Sequence, residues 1–483
     1  MISRISIACL LSLVTGYSIY AQKVLPPAPV LPVPSAKQLA WQKMEMNIFV
    51  HFTTNTFTDK EWGFGDEKET VFNPTAASPD QWLQVFKNNG FKGVILTTKH
   101  HDGFCLWPSK YTEHSVKNSP YKNGKGNLVK ETSDAAKKYG LKFGIYLSPW
   151  DRNHAAYGTP EYITYYRNQL KELTTQYGPI FEIWFDGANG GDGYYGGTNE
   201  TRKINGATYY DWPTTISQVR KVQPQALFFS DAGPDIRWVG NESGIANVTN
   251  WNTITPDTLY AGKPNITELL NTGSPDGTKW IPAEVDVSIR PGWFYHAKED
   301  NQVKTPEQLF DIYLSSVGRG SVLLLNIPPD RRGLVHENDI KSLEGFTRLR
   351  KERLGNNLAK NAVVKASDTR GNSPLYKAAN ITDNNTNTYW ATDDDQTTGS
   401  FEMDLQTAKE IKYILLQEYI TLGQRVESFT VEAWQNNGWK KVAEGTTIGY
   451  KRILKIDPVT TSKIRVTITG AKACPLISNA ALY

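Results

Sequence analysis

From about residue 40 to 355 the chain alternates short apolar, β-branched runs with amphipathic segments, and this alternation constrains its fold more than any other feature. The runs are Asn47–Phe52, Gly93–Thr97, Phe143–Leu147, Phe181–Phe185, Ala226–Ser230, Trp238–Val239, Glu284–Ile289 and Val322–Ile327. Helical patterns lie between them. Tyr162, Ile163, Tyr166, Leu170, Leu173 and Tyr177, for example, are spaced by one, three or four residues. Repeated strand–helix alternation implies a parallel sheet covered by helices. Eight such units predict a (β/α)8 barrel over 38–355. The sixth run is short, so an open doubly wound sheet stands as the structural alternative. No glycine-rich phosphate loop follows the first run, which counts against a nucleotide fold.

Beyond residue 360 the texture changes. Ile411–Gln417, Ser428–Trp434 and Lys463–Ile468 alternate apolar and polar residues, with turns such as Asn436-Asn437-Gly438 between them. Period-two segments without long helical patterns predict an all-β sandwich over 360–483. Residues 22–37 are proline-rich and read as an extended lead-in. Ahead of them, Arg4, the apolar run from Ile5 to Val14 and the small residue Ala21 form an export signal over 1–21, cleaved before Gln22. That apolar run is too short to span a membrane, and no later segment reaches spanning length. Net charge is +4 with no basic cluster, so nothing points to nucleic acid. Past the signal only Cys105 and Cys474 remain, too far apart to suggest a stabilising disulfide.

In a barrel, residues at the C-terminal strand ends share one pocket. Here those ends carry His51, then Lys99-His100-His101-Asp102 with Trp107 beyond, and Tyr146 with Trp150 and Asp151. They continue with Trp184 and Asp186, Asp231, Asn241-Glu242, and Glu284, Asp286 and Arg290. Singly, each has a plain reading: a core histidine, a cap, a solvated charge. Asp186 alone reads as an N-cap. Together they gather histidines, carboxylates and aromatics at one end, the composition of a carbohydrate site, where a ring face stacks on tryptophan and carboxyls act on the bond. Adjacent histidines on an extended segment point to opposite faces and no H-E-x-x-H pair occurs, so a catalytic metal is not expected. No G-x-S-x-G elbow is present either.

Five blocks resemble the α-L-fucosidases of glycoside hydrolase family 29. They are Lys99 to Ser109 (KHHDGFCLWPS), Trp184 to Ala188 (WFDGA), Asp235 to Glu242 (DIRWVGNE), Trp280 to Trp293 (WIPAEVDVSIRPGW) and Leu323 to Pro329 (LLLNIPP). The WFDGA and Gly-Asn-Glu forms resemble the branch that prefers α1,3- or α1,4-linked fucose in branched glycans. The resemblance implies a retaining, double-displacement hydrolase that needs no cofactor for catalysis and acts on fucosylated oligosaccharides. Asp186 matches the nucleophile and Glu242 the acid/base, with Glu284 the rival for that second role. A raised Glu242 pKa is expected from an apolar neighbour such as Trp238. His51, His100, His101 and Trp184 match fucose-binding positions, and Trp107, Tyr146, Glu284 and Arg290 are further candidates. Two other readings stay open: a fucose-binding lectin on a dead hydrolase scaffold, and a hydrolase of L-galactose, which a hydrophobic pocket discriminates weakly. Residues 379 to 390 (ANITDNNTNTYW) resemble the opening of discoidin-like, or coagulation factor type C, domains. That resemblance implies a structural Ca²⁺ near Asp383 and Thr388, although Asn479-Ala480-Ala481 stands where the family often has a glutamate.

Overall fold

The computed structural model describes residues 24–483; the export signal falls outside them. Eight parallel strands close into a barrel in sequential order: β1 (Met46–Val50), β2 (Gly93–Lys99), β3 (Lys142–Leu147), β4 (Glu182–Trp184), β5 (Leu227–Ser230), β6 (Ile236–Trp238), β7 (Ala283–Ser288) and β8 (Val322–Asn326). β8 returns to β1 with Met46 opposite Leu323, which excludes the open sheet. Side chains alternate between two cores, as a strand's period of two requires. Phe49, Ile95, Tyr146, Trp184, Phe229 and Leu324 fill the barrel. Ile48, Val94, Leu96, Ile145, Ile183 and Phe228 face the surrounding helices. Local signals set those helices. Ser78 accepts from the Gln81 N–H ahead of Pro79–Asn88, Thr305 and Gln308 form a capping box at Pro306–Ser315, and Gly140 ends Leu128–Tyr139 at φ 66°.

One expected unit is absent among the described residues: no helix separates β5 from β6. The chain turns back through Asp231–Asp235, with Gly233 at φ 106°, and rises again so that Phe229 lies opposite Ile236. The Asp235 carboxylate holds this loop by accepting from the Phe228 N–H (2.9 Å) and from Arg220 through both oxygens (2.8 Å each). A link this short carries no helical periodicity, so the pattern of eight strand–helix units does not hold there.

The second domain is antiparallel: β9 (Val363–Ala366), β10 (Trp390–Ala391), β11 (Gly399–Glu418), β12 (Val426–Gln435), β13 (Gly438–Gly445), β14 (Arg452–Ala471) and β15 (Leu476–Leu482). Register breaks in β11, between Asp404 and Lys409 and between Ile411 and Tyr413, bend the long strands around a core that includes Trp390, Phe401, Ile414, Phe429 and Val466. Asn436 and Asn437, both at positive φ, form the two-residue turn between β12 and β13. The domains are bonded together. Gln424 accepts from the Asn252 backbone and side-chain N–H groups at 2.9 and 2.8 Å, and Tyr413, Leu415 and Ile453 join the barrel's outer core. The proline-rich lead-in lies along the second domain, with Val30 N–H donating to the Leu422 carbonyl (2.9 Å). Cys105 and Cys474 are free and buried. Among the described residues no helix is long and apolar enough to cross a membrane.

Candidate active site

A pocket at the C-terminal end of the barrel is lined by His51, His100, His101, Tyr146, Trp184, Asp186, Glu242 and Asp286, with Phe49, Trp62, Ala188 and Trp293 completing its wall. Strand alternation accounts for several of these. His51 continues the inward face of Phe49, Asp186 that of Trp184, and Asp286 that of Glu284.

Asp186 is oriented by two donors. Its Oδ1 accepts from the Ala188 N–H at 2.7 Å and its Oδ2 from the Tyr146 hydroxyl at 3.0 Å. It therefore does form the local backbone bond that a capping residue would, and still has a side chain 25% exposed to the pocket. Burial raises its pKa above the ordinary aspartate value, and the two hydrogen bonds oppose that rise. The following glycine has a packing reason. A Cβ at Gly187 would stand 2.2 Å from Asp231 Oδ2, whose carboxylate holds the Gly262 N–H at 2.7 Å. Burial and the Asp186 charge push Asp231 up to about 6.

Glu242 is held by the Trp293 indole, which donates to its Oε2 at 3.1 Å. Its pKa is raised by burial first, and then by the charges of Asp186 and Glu61. Trp238, the expected neighbour, donates instead to Asp286 Oδ1 at 2.8 Å. Asp286 is 3% exposed and its pKa lies well above normal, through burial and the Glu242 charge.

The three histidines are neutral. Burial lowers His51 and His101 to about 3, and lowers His100 as well. His51 Nδ1 lies 2.8 Å from Asn326 Oδ1, and the Asn326 amide donates elsewhere, to Ser288 and to the Trp293 carbonyl. The proton is thus assigned to Nδ1, leaving Nε2 as a bare acceptor. The same logic applies to His101. Its Nδ1 faces Ser148 Oγ at 2.7 Å while that hydroxyl donates to the Trp150 carbonyl, and its Nε2 lies 3.9 Å from Asp186 Oδ2. Beneath them, fully buried Lys99 is paired with Asp151 at 2.9 Å and Gln169 at 3.0 Å, fixing the end of β2.

Three sequence candidates lie elsewhere. Trp107 is 1% exposed and packs in the outer core, donating to Glu172 Oε2 at 2.9 Å. Arg290 is turned away from the pocket and bonds Asp339 and Asp300 at 3.0 Å each. Glu284 is fully buried inside the barrel, where its Oε2 accepts from the Trp184 indole at 2.9 Å. Conversely, Trp62 and Trp293 line the pocket although neither is a candidate from the sequence. Trp62 sits in an irregular loop with no periodic signal, whereas Trp293 closes the Trp280 to Trp293 block.

The loop expected to hold calcium satisfies itself. Thr388 Oγ1 donates to Asp383 Oδ2 at 2.7 Å, and Asp383 Oδ1 accepts from the Asn385 N–H at 2.8 Å. Asn479, in the place of the family's glutamate, donates to Gln417 at 2.8 Å. Calcium takes six to eight oxygens, commonly with several carboxylates. This single, internally bonded carboxylate does not fit one, and among the described residues no group of three or more His, Cys, Asp or Glu could hold a metal ion.

Residues 17–351 match the family model for α-L-fucosidase, and residues 363–479 match the F5/8 type C domain. The chain belongs to the α-L-fucosidase family. It is a glycoside hydrolase with a discoidin-like second domain. Alpha-L-fucosidase 1 of Arabidopsis thaliana is 42% identical over 464 residues, spanning 95% of this chain and 88% of the plant protein. A glycoside hydrolase 29 member from an unknown rumen bacterium superposes at TM-score 0.85 and 43% identity, over 95% of this chain and 78% of that one. A Ruminococcus gnavus GH29 fucosidase, solved in complex with fucose, superposes at TM-score 0.87 with 33% identity, over 96% and 97% of the two chains.

Proposed function

We propose that this enzyme is a retaining, exo-acting α-L-fucosidase whose nucleophile is Asp186 and whose acid/base is Glu242. The observation that carries the reading is their presence in one pocket, each on its own donors, with the Asp186 charge acting on Glu242. A glycosidase of this kind uses two carboxyl groups and no cofactor. In the first step an Asp186 oxygen bonds to the anomeric carbon as the glycosidic C–O bond breaks, and protonated Glu242 gives its proton to the departing oxygen. In the second, water attacks that carbon while Glu242 takes its proton, and Asp186 leaves as a carboxylate. Burial suits Glu242 to the acid role by keeping it protonated at higher pH.

The neutral His51 and His101 offer bare nitrogens that accept from sugar hydroxyls, Trp293 and half-exposed Trp62 supply flat faces for the ring, and buried Trp184 forms part of the pocket wall. Fucose in α1,3 or α1,4 linkage within branched glycans is the preferred substrate, a reading supported by the WFDGA and Gly-Asn-Glu blocks. The 1–21 segment supports export of the mature enzyme, which N-terminal sequencing of the secreted protein tests by finding Gln22 first.

A panel of α1,2-, α1,3-, α1,4- and α1,6-fucosylated oligosaccharides tests activity, sugar and linkage together. We expect fucose release chiefly from the branched α1,3 and α1,4 members. Release from none of them, with fucose bound but not turned over, would replace the enzyme with a lectin.

A further inference from the structure

Glu182 and Glu284 are two fully buried carboxyl groups with no part in the chemistry above. Both point into the barrel, from β4 and β7, beneath the pocket. Each gives one oxygen to an indole: Trp41 Nε1 donates to Glu182 Oε2 at 2.7 Å, and Trp184 Nε1 to Glu284 Oε2 at 2.9 Å. The two carboxyls lie within hydrogen-bonding reach of each other. Their remaining oxygens, Oε1 of each, have no other partner among the described residues.

Two ionised carboxylates cannot hydrogen-bond, since neither has a donor. Among the described residues no lysine or arginine acts on either group to offset the repulsion. One proton resolves both problems. It turns one carboxyl into a donor to the other and leaves a single charge shared by the pair and solvated by two indole N–H groups.

We propose that Glu182 and Glu284 share one proton at neutral pH and that this pair is a positioning device for Trp184. Trp184 stacks on Phe229 with ring centroids 3.8 Å apart and is followed two residues later by Asp186. Its indole N–H is its handle on the barrel interior, so the pair sets the pocket wall and the strand end that carries the nucleophile. Burial raises both groups, and for Glu284 the Glu182 charge adds to it, so the retained proton belongs to the pair. Asp286, the next inward residue of β7, feels the Glu284 charge as well.

The catalytic part rests on the fucosidase reading; the shared proton does not. Difference infrared spectra of the full-length enzyme at neutral pH, wild type against Glu284→Gln, test the proton directly. The expected result is a buried carboxylic-acid band that the variant lacks. A band unchanged by the substitution, or none in the wild type, overturns the pair. Kinetics test the positioning. The amide introduced by Glu284→Gln still accepts from the Trp184 indole and donates to Glu182, so kcat/KM should stay within about tenfold of wild type. Glu284→Leu does neither and should lose about a hundredfold, with KM raised, as expected when a site is misplaced by about an ångström. A Gln variant as impaired as the Leu variant would make Glu284 a reacting acid instead, and an unimpaired Leu variant would remove the positioning role. If the Leu variant fails to fold, the spectrum and the Gln variant still decide. If the wild type releases no fucose, the functional reading fails while the infrared result stands.

Discussion

Removing one hydroxyl isolates what Tyr146 does for Asp186. Tyr146→Phe keeps the ring, which stacks near His100 and Trp184 with centroids 5.7 and 5.6 Å away, and deletes only the bond to Asp186 Oδ2. A hydrogen bond to a charged group contributes roughly 1.5–3 kcal/mol, and a factor of ten corresponds to about 1.4 kcal/mol. Two donors hold this carboxylate ionised against burial, so losing one moves its protonation to higher pH. On the acidic side of the profile, where activity follows the ionised fraction of Asp186, kcat/KM should fall roughly ten- to hundredfold. Above that limb the loss should be smaller. The assay is the pH profile of kcat/KM on a fucosylated trisaccharide. An acidic limb that stays in place refutes the claim that this carboxylate must be ionised and is held so by Tyr146.

Other expectations are equally specific. Glu242→Ala should lower turnover of a natural glycan by about 10²–10⁴-fold and of an activated aryl fucoside far less, because a good leaving group needs little protonation; equal losses on both would argue against the acid role. Trp107→Phe should cost about 1–3 kcal/mol in denaturant unfolding through the lost bond to Glu172, with KM unchanged; a KM raised by roughly a factor of ten would return Trp107 to the pocket. His51 and His101 stay neutral in the fold down to about pH 3 but take up protons near 6.5 when unfolded. The unfolded state binds more protons than these two rings do in the fold, so each histidine's contribution to stability should fall as pH drops from 6.5 toward 3, by up to about 1.4 kcal/mol per unit, while raised carboxyls such as Asp231 and Asp286 act in the opposite sense. Thermal unfolding of wild type against His101→Gln across that range isolates the term: the variant should lose less stability, or gain more, for each unit of pH lowered.

Much of the barrel and its site is legible in the sequence because period and position carry it. The alternation of apolar runs gives the barrel, and inward alternation then brings His51, Trp184 and Asp186 to one end. The Asn436-Asn437-Gly438 turn is visible because positive φ favours those residues. The candidates that lie outside the pocket lining share a cause. Trp107, Glu284 and Arg290 sit inside motif blocks or at strand ends, yet sequence position says nothing about which face a side chain takes after the chain bends. Glu284 is one layer too deep, and Arg290 lies just past the strand, where the chain turns it toward Asp339 and Asp300. Trp62 lies in an irregular loop, and its place at the pocket is set by tertiary packing. The β5–β6 link passes for a strand–helix unit because spacing alone does not reveal a chain that folds back on itself through Asp235 and Arg220.

The central claim is that Asp186 becomes bonded to the sugar. Incubation with a 2-deoxy-2-fluoro-fucosyl fluoride, which slows the second step, followed by peptide mass spectrometry, tests it most directly. The expected result is a fluorofucosyl adduct on Asp186 in the peptide that spans Trp184 to Ala188. An adduct on Glu242 or another carboxylate, or an enzyme that turns the sugar over with inverted configuration and no adduct, would contradict it.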